Sequence, residues 1–247
     1  MSPILLSIVL GVTAAVADGL GGAMIGRRQW ERRYLRYFVA LGSGFMLATA
    51  LVEMVPESLN PAVNRDARWA GFIVLLGYLI IHFFEHTLSP HFHFGEETHA
   101  DQFVQAHKGY SVVAGLLIHT FFDGIAIASG FVVSNRLGWI VFIAVFLHKL
   151  PEGFTVASVM LASGRSRRAA LVSAALLGAS TLLGVLVMAL TYASVGIGLP
   201  LSAGVTIYVA DSDLIPEVNK EPDVKMALLV FVGVGLLFLL DRIFHVH

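Results

Sequence analysis

Apolar stretches of about 20 residues recur along this chain, each long enough to carry an α-helix across the hydrocarbon core of a bilayer. Lipid offers no partner to a backbone N–H or C=O, so a spanning stretch of that length satisfies its own groups as a helix. Eight such spans are expected, over 4–25, 35–59, 69–88, 110–133, 139–162, 169–194, 199–217 and 226–244. Composition agrees. Hydrophobic residues make up 57% and charged residues 13%, against about 25% charged in soluble domains. The expected fold is an all-α membrane protein, with residues 1–247 forming a single transmembrane domain. The chain has no cysteine, which excludes disulfides, thiolate metal sites and thiol chemistry. Its first residues, MSPILLSIVLG, lack the basic region of a cleavable signal peptide, so the first span is expected to stay in the mature protein.

The loops divide unequally in charge. Arg27, Arg28, Arg32, Arg33, Arg36, Lys108, Arg165, Arg167, Arg168, Lys220 and Lys225 fall on one side, and only Arg65, Arg68, Arg136 and Arg242 on the other. The positive-inside rule places the first set in the cytoplasm and both termini outside it. A gapless echo links SGFMLATALVEMVPESLN in span two to AGVTIYVADSDLIPEVNK in span seven, matching Gly44 with Gly204, Glu53 with Asp213, Pro56 with Pro216 and Glu57 with Glu217. The two copies run in opposite directions. Inverted repeats of this kind build many secondary transporters around a midplane site.

Chemistry concentrates in spans four and five. Each carries a histidine followed four residues later by a carboxylate and then a glycine: His119, Asp123, Gly124 and His148, Glu152, Gly153, with a short turn at 134–138 between the spans. On a helix, positions i and i+4 share a face. Two antiparallel spans can thus converge two imidazoles and two carboxylates, a donor set suited to a borderline dication such as zinc. Ionisable groups inside a membrane are costly unless paired or hydrated, which marks them as functional. The bland reading is a polar seam between helices. Pro151 cannot donate to the carbonyl of Leu147, leaving that oxygen free beside the motif.

The sequences HTFFDG (119–124) and HKLPEG (148–153) resemble the paired signatures of spans four and five in the ZIP family of metal-ion transporters. The eight spans, outside termini, histidine-bearing third loop and E-x-x-P-E ending of span two resemble that family as well. The resemblance implies a ZIP-type helical bundle that moves a divalent transition metal into the cytoplasm, by a slide of spans one, four, five and six against the others. It implies metal ligation by His119, Asp123 and Glu152, with His148 a further candidate. Zn2+ is the foremost substrate, and Cd2+, Fe2+ and Mn2+ suit the same donors. Some family members hold a second metal using Asn and Asp where this chain has Thr120 and Lys149. One central metal is therefore expected here, with the Lys149 ammonium in place of the second. Span six offers only Ser173, Ser180 and Thr181, so water is the expected fourth ligand if His148 does not serve.

Glu53 and Glu57 in span two, with Asp211, Asp213 and Glu217 in span seven, are candidate cation-gathering vestibules near opposite surfaces; interfacial carboxylates at helix ends are the plain alternative. For Asp18, near the cytoplasmic end of span one, a solvated or helix-pairing role stands beside an exit-route one. His82, Glu85 and His86 lead into a loop with His91, His93, His99 and His107, a candidate cytoplasmic metal-binding tract. Protons competing for the ligands could drive release. The expected partners are the dication, the cell-membrane bilayer and possible homodimer contacts through the small residues Gly233 and Gly235; no nucleic acid is expected. Two other functions fit a zinc site. An intramembrane zinc hydrolase would need a general base that neither signature supplies, and H-E-x-x-H is absent. A non-transporting sensor is the other.

Overall fold

The computed structural model describes residues 1–24, 30–88, 106–191, 194–220 and 223–245. Among them, eight helices are long and apolar enough to cross a membrane: Pro3–Ala23, Arg36–Leu59, Ala67–Thr87, Gly109–Val133, Asn135–Ala162, Arg167–Leu190, Val195–Asn219 and Val224–Phe244. These are spans one to eight. Side-chain caps start several of them: the hydroxyls of Ser2, Ser134 and Ser166 accept from the backbone N–H of Leu5, Leu137 and Ala169, and the Asp66 carboxylate accepts from Arg68 and Trp69. Each cap meets donors that a helix end leaves unpaired.

Several boundaries differ from expectation by a few residues, span six for example ending at Leu190 and not at 194, and two of the differences have a clear cause. Span seven begins at Val195 and absorbs Gly196 and Gly198, which look like turn residues in the sequence. Their missing side chains serve packing instead: a Cβ on Gly196 would meet Asn64 and Val63, and one on Gly198 would meet Met188 and Ser129. The turn before span five is also shorter than expected, because Asn135 already lies in the helix and Ser134 caps it.

Spans two and seven share an irregularity at matched positions. Span two is α-helical to Ala48, π-helical over Thr49–Met54 and α-helical again over Val55–Leu59. Span seven repeats this with a π turn at Val209–Leu214 and a last α turn at Ile215–Asn219. The Val55 N–H donates to the Ala50 carbonyl, and the Ile215 N–H to that of Ala210. In each, a proline comes one residue later and cannot donate, which favours a register shift over a regular helix.

Glycine contacts extend the pairing to the whole bundle. A Cβ on Gly44 or Gly233 would strike the backbone of Val230 or Leu41, between spans two and eight; Gly204 and Gly77 stand likewise against Val74 and Leu201, between spans seven and three. Gly153 and Gly21 abut the carbonyls of Asp18 and Leu150, between spans five and one, while Gly124 and Gly184 abut those of Thr181 and Phe121, between spans four and six. Each of these contacts has a twin. The pattern exchanges one with six, two with seven, three with eight and four with five, which is the inverted repeat. The packing thus falls into two groups: spans one, four, five and six pack on one another, and spans two with eight and three with seven form the remainder.

A candidate metal centre between spans four and five

Spans four and five bury their polar residues deep in the first group. His119, Asp123 and His148 are 1% exposed, and Glu152 and Lys149 are fully buried. One ligand atom from each of His119, Asp123, His148 and Glu152 can be chosen so that all lie within 4.8 Å of one another. The pairing is crossed. The Nε2 of His119 is 3.1 Å from Oε1 of Glu152, and the Nε2 of His148 is 3.3 Å from Oδ2 of Asp123. Within each helix the approach is longer, 4.0 Å from Nε2 of His119 to Oδ2 of Asp123 and 3.9 Å from Nε2 of His148 to Oε2 of Glu152. Each imidazole thus faces the carboxylate of the other span.

Backbone contacts orient one ring. The Nδ1 of His148 lies 3.1 Å from the Ala144 carbonyl, an acceptor, so Nδ1 carries the proton. In the neutral ring Nε2 then presents a lone pair toward Asp123, and two lone pairs face one another unless a cation lies between. Nδ1 of His119 and Oδ1 of Asp123 are also buried without a hydrogen-bond partner, and Nε2 of His119 and Oε1 of Glu152, although 3.1 Å apart, are not aligned for a hydrogen bond. Buried polar atoms are nearly always satisfied. A convergent group of unsatisfied donors to metal is the chemistry of a dication site with nitrogen and oxygen ligands.

Lys149 occupies the flank of this cluster. Its Nζ lies 2.8 Å from Oδ2 of Asp123, 2.7 Å from Oε2 of Glu152 and 3.9 Å from Oδ2 of Asp18. Thr120, the matching residue of span four, gives its hydroxyl to the Leu117 carbonyl of its own helix. The span-six hydroxyls are similarly engaged, Ser180 with Leu117 of span four and Thr181 with Leu177.

The remaining candidates lie elsewhere. Glu53 is held by Arg136 of span five through two hydrogen bonds of 3.1 and 2.8 Å, and Asp241 of span eight grips the same guanidinium. Glu57 accepts from Asn60. At the opposite end Asp213 is buried and hydrogen-bonds Glu85, which also bonds Tyr208; Asp211 is exposed and Glu217 pairs with Lys220 at 2.9 Å. Glu85 therefore belongs to the span-seven cluster more than to the loop. His82 and His86 are exposed, their rings 4.2 Å apart. His91, His93, His99 and the side chain of His107 lie outside the described residues.

Sequence reasoning missed two partners. Asp18 is fully buried, which removes the solvated reading; the signal was Gly21 three residues on, whose close approach to span five brings Asp18 to Lys149. Arg136 joins spans two, five and eight, and its position as a lone basic residue at the start of span five was the available clue.

A family model described as "ZIP Zinc transporter" matches residues 2–112 and 96–241. The chain is similar to "Zinc transporter zipt-7.1" of Caenorhabditis briggsae, 24% identical over 309 residues covering 96% of this chain and 78% of that protein. It is similar to "Zinc transporter ZIP9-B" of Xenopus laevis, 26% identical with 75% of this chain and 76% of that one covered. A shorter match of 137 residues, 31% identical, covers 51% of this chain and 29% of "Zinc transporter SLC39A7" of Homo sapiens.

Proposed function

The chain belongs to the ZIP family of zinc transporters, and on that premise we propose that it carries Zn2+ into the cytoplasm through a site made by His119, Asp123, His148 and Glu152. The observation that carries this reading is the crossed cluster, in which unsatisfied nitrogens and oxygens from two adjacent spans converge within 4.8 Å. Nitrogen and oxygen donors bind zinc firmly enough to replace its water, and the anionic ligands compete with protons, so release can follow protonation. Cd2+, Fe2+ and Mn2+ fall within the range such donors accept.

One ion occupies the site at a time, because the Lys149 ammonium fills the flank where Thr120 and Lys149 replace the ligands of a second metal. Asp211 and Glu57 gather cations at the two mouths, whereas Glu53 is engaged by Arg136, Glu217 is engaged by Lys220 and Asp213 is buried. His82 and His86, with His91, His93, His99 and His107, receive or sense the emerging ion; deleting 91–99 should change how uptake responds to cytosolic zinc. The chain acts as one transmembrane unit over 1–247 in the cell membrane, with both termini outside the cytoplasm, and a homodimer would use span eight, where Gly235 has open space. The family is one of transporters, which sets the hydrolase alternative aside.

Liposomes loaded with a zinc-sensitive dye test the site. His119→Ala and Glu152→Ala should each bring uptake near background, and uptake that survives both changes overturns the assignment. Metal analysis of purified protein should find one central ion; two would overturn the role given to Lys149.

A further inference from the structure

Asp18 is fully buried, and neither carboxylate oxygen has a hydrogen-bond partner. Its nearest cation is the Lys149 ammonium, 3.9 Å from Oδ2, while that ammonium sits at contact distance on Asp123 and Glu152. The inverted repeat supplies a control for what a helix contact needs here. Gly153 rests on the Asp18 carbonyl as Gly124 rests on that of Thr181, so Asp18 and Thr181 hold equivalent places. Lys149 and Thr120 are equivalent too, each one residue after the motif histidine. One flank of the site is thus Asp with Lys, and the other is Thr with Thr. Close packing of these helices is achieved without charge on the second flank, so it does not explain the charge on the first.

The arriving ion does. While the Lys149 ammonium covers Oδ2 of Asp123 and Oε2 of Glu152, each carboxylate has only its other oxygen left for a dication, and the neighbouring ammonium repels that ion. We propose that Asp18 is the seat to which Lys149 moves when metal enters, making Asp18 a positioning residue that fixes the charge of the loaded site. The move is short, a rotation of the lysine stem that closes the 3.9 Å gap. With Asp18, Asp123 and Glu152 all ionised once the ammonium sits among them, and with the imidazoles neutral, three carboxylates against one ammonium leave two net negative charges, and one dication cancels them. A monovalent ion leaves the site negative and a trivalent ion leaves it positive, each penalised where water is excluded. On release, Lys149 returns to Asp123 and Glu152 and prevents a bare pair of buried anions.

This inference rests on the ligand assignment, and the experiment separates the two. Zn2+ binding is measured on full-length protein in nanodiscs by competition with a chromophoric chelator, beside thermal melting and zinc flux, for Asp18→Asn, Lys149→Met, the double variant and Asp123→Asn. Asp123→Asn should lose Zn2+ binding; if it does not, the ligand assignment fails. Asp18→Asn should weaken Zn2+ binding about tenfold or more, since the ammonium then has nowhere else to go. Lys149→Met should bind more tightly and turn over more slowly, a split between affinity and rate. The double variant should return to within about threefold of the parent affinity, because the net charge is again minus two. Parent-like binding by Asp18→Asn, or a double variant as weak as Asp18→Asn, overturns the proposal while leaving the ligands in place. Should Asp18→Asn fail to fold, Lys149→Met decides: tighter binding supports the exchange and unchanged affinity overturns it.

Discussion

Gly153 shows how much a single missing side chain does in this protein. It ends the HKLPEG motif, and its bare Cα lets the backbone of span one come against span five at Asp18. A methyl there collides with a carbonyl on a packed helix, so Gly153→Ala should cost about 1–3 kcal/mol or more. It should also move Asp18 away from Lys149. Gly235 is the contrast, since nothing lies within 4 Å of a Cβ placed on it; Gly235→Ala should change stability by no more than about 0.5 kcal/mol. Thermal melting of the two variants in detergent checks both expectations, with Zn2+ binding as a second readout for Gly153→Ala. The motif residues were legible in the sequence because spacing alone puts His and carboxylate on one helical face. Asp18 was not, because it lies about a hundred residues from Asp123 in sequence and reaches the site only through the packing of span one on span five.

At the scale of elements, the π turns in spans two and seven decide where the acidic residues face. Each accommodates an extra residue, which rotates the succeeding turn by roughly 100° relative to a regular helix. Deleting Leu51 should regularise span two and turn Glu53 out of reach of Arg136, whose double hydrogen bond fixes its present direction. The deletion variant should then show the same flux as Arg136→Gln, and the two changes combined should add nothing further. The spans themselves were readable from apolar length, and their inverted pairing from the short echo between spans two and seven. The π geometry was not, because hydropathy carries no record of hydrogen-bond register. Nor did the sequence distinguish a glycine that turns a chain from one that admits a neighbour, and so span seven was expected to begin at residue 199 instead of Val195.

For the whole molecule, the distribution of close backbone contacts matters more than their number. Backbones meet through glycine within spans one, four, five and six, and within the pairs two with eight and three with seven. Between the groups the glycine contact is looser: a Cβ on Gly42 of span two would lie 3.6 Å from the Cβ of Leu147 in span five and 3.8 Å from its backbone, ordinary van der Waals distances. The Cβ separation matches a disulfide, whose Cβ atoms stand roughly 3.5–4.5 Å apart. The chain has no cysteine of its own, so Gly42→Cys with Leu147→Cys makes a clean pair. Oxidation should stop zinc flux and reduction restore it; flux that continues through the cross-link would show that the groups need not move past each other. Among the described residues, backbone interlocked tightly on either side and only loosely across, with the Arg136 guanidinium as a removable pin, describes a shear plane. Were the chain to give way along it, each block would keep its internal geometry, and the crossed His and carboxylate side chains of spans four and five, all on one side of that plane, would travel without being pulled apart.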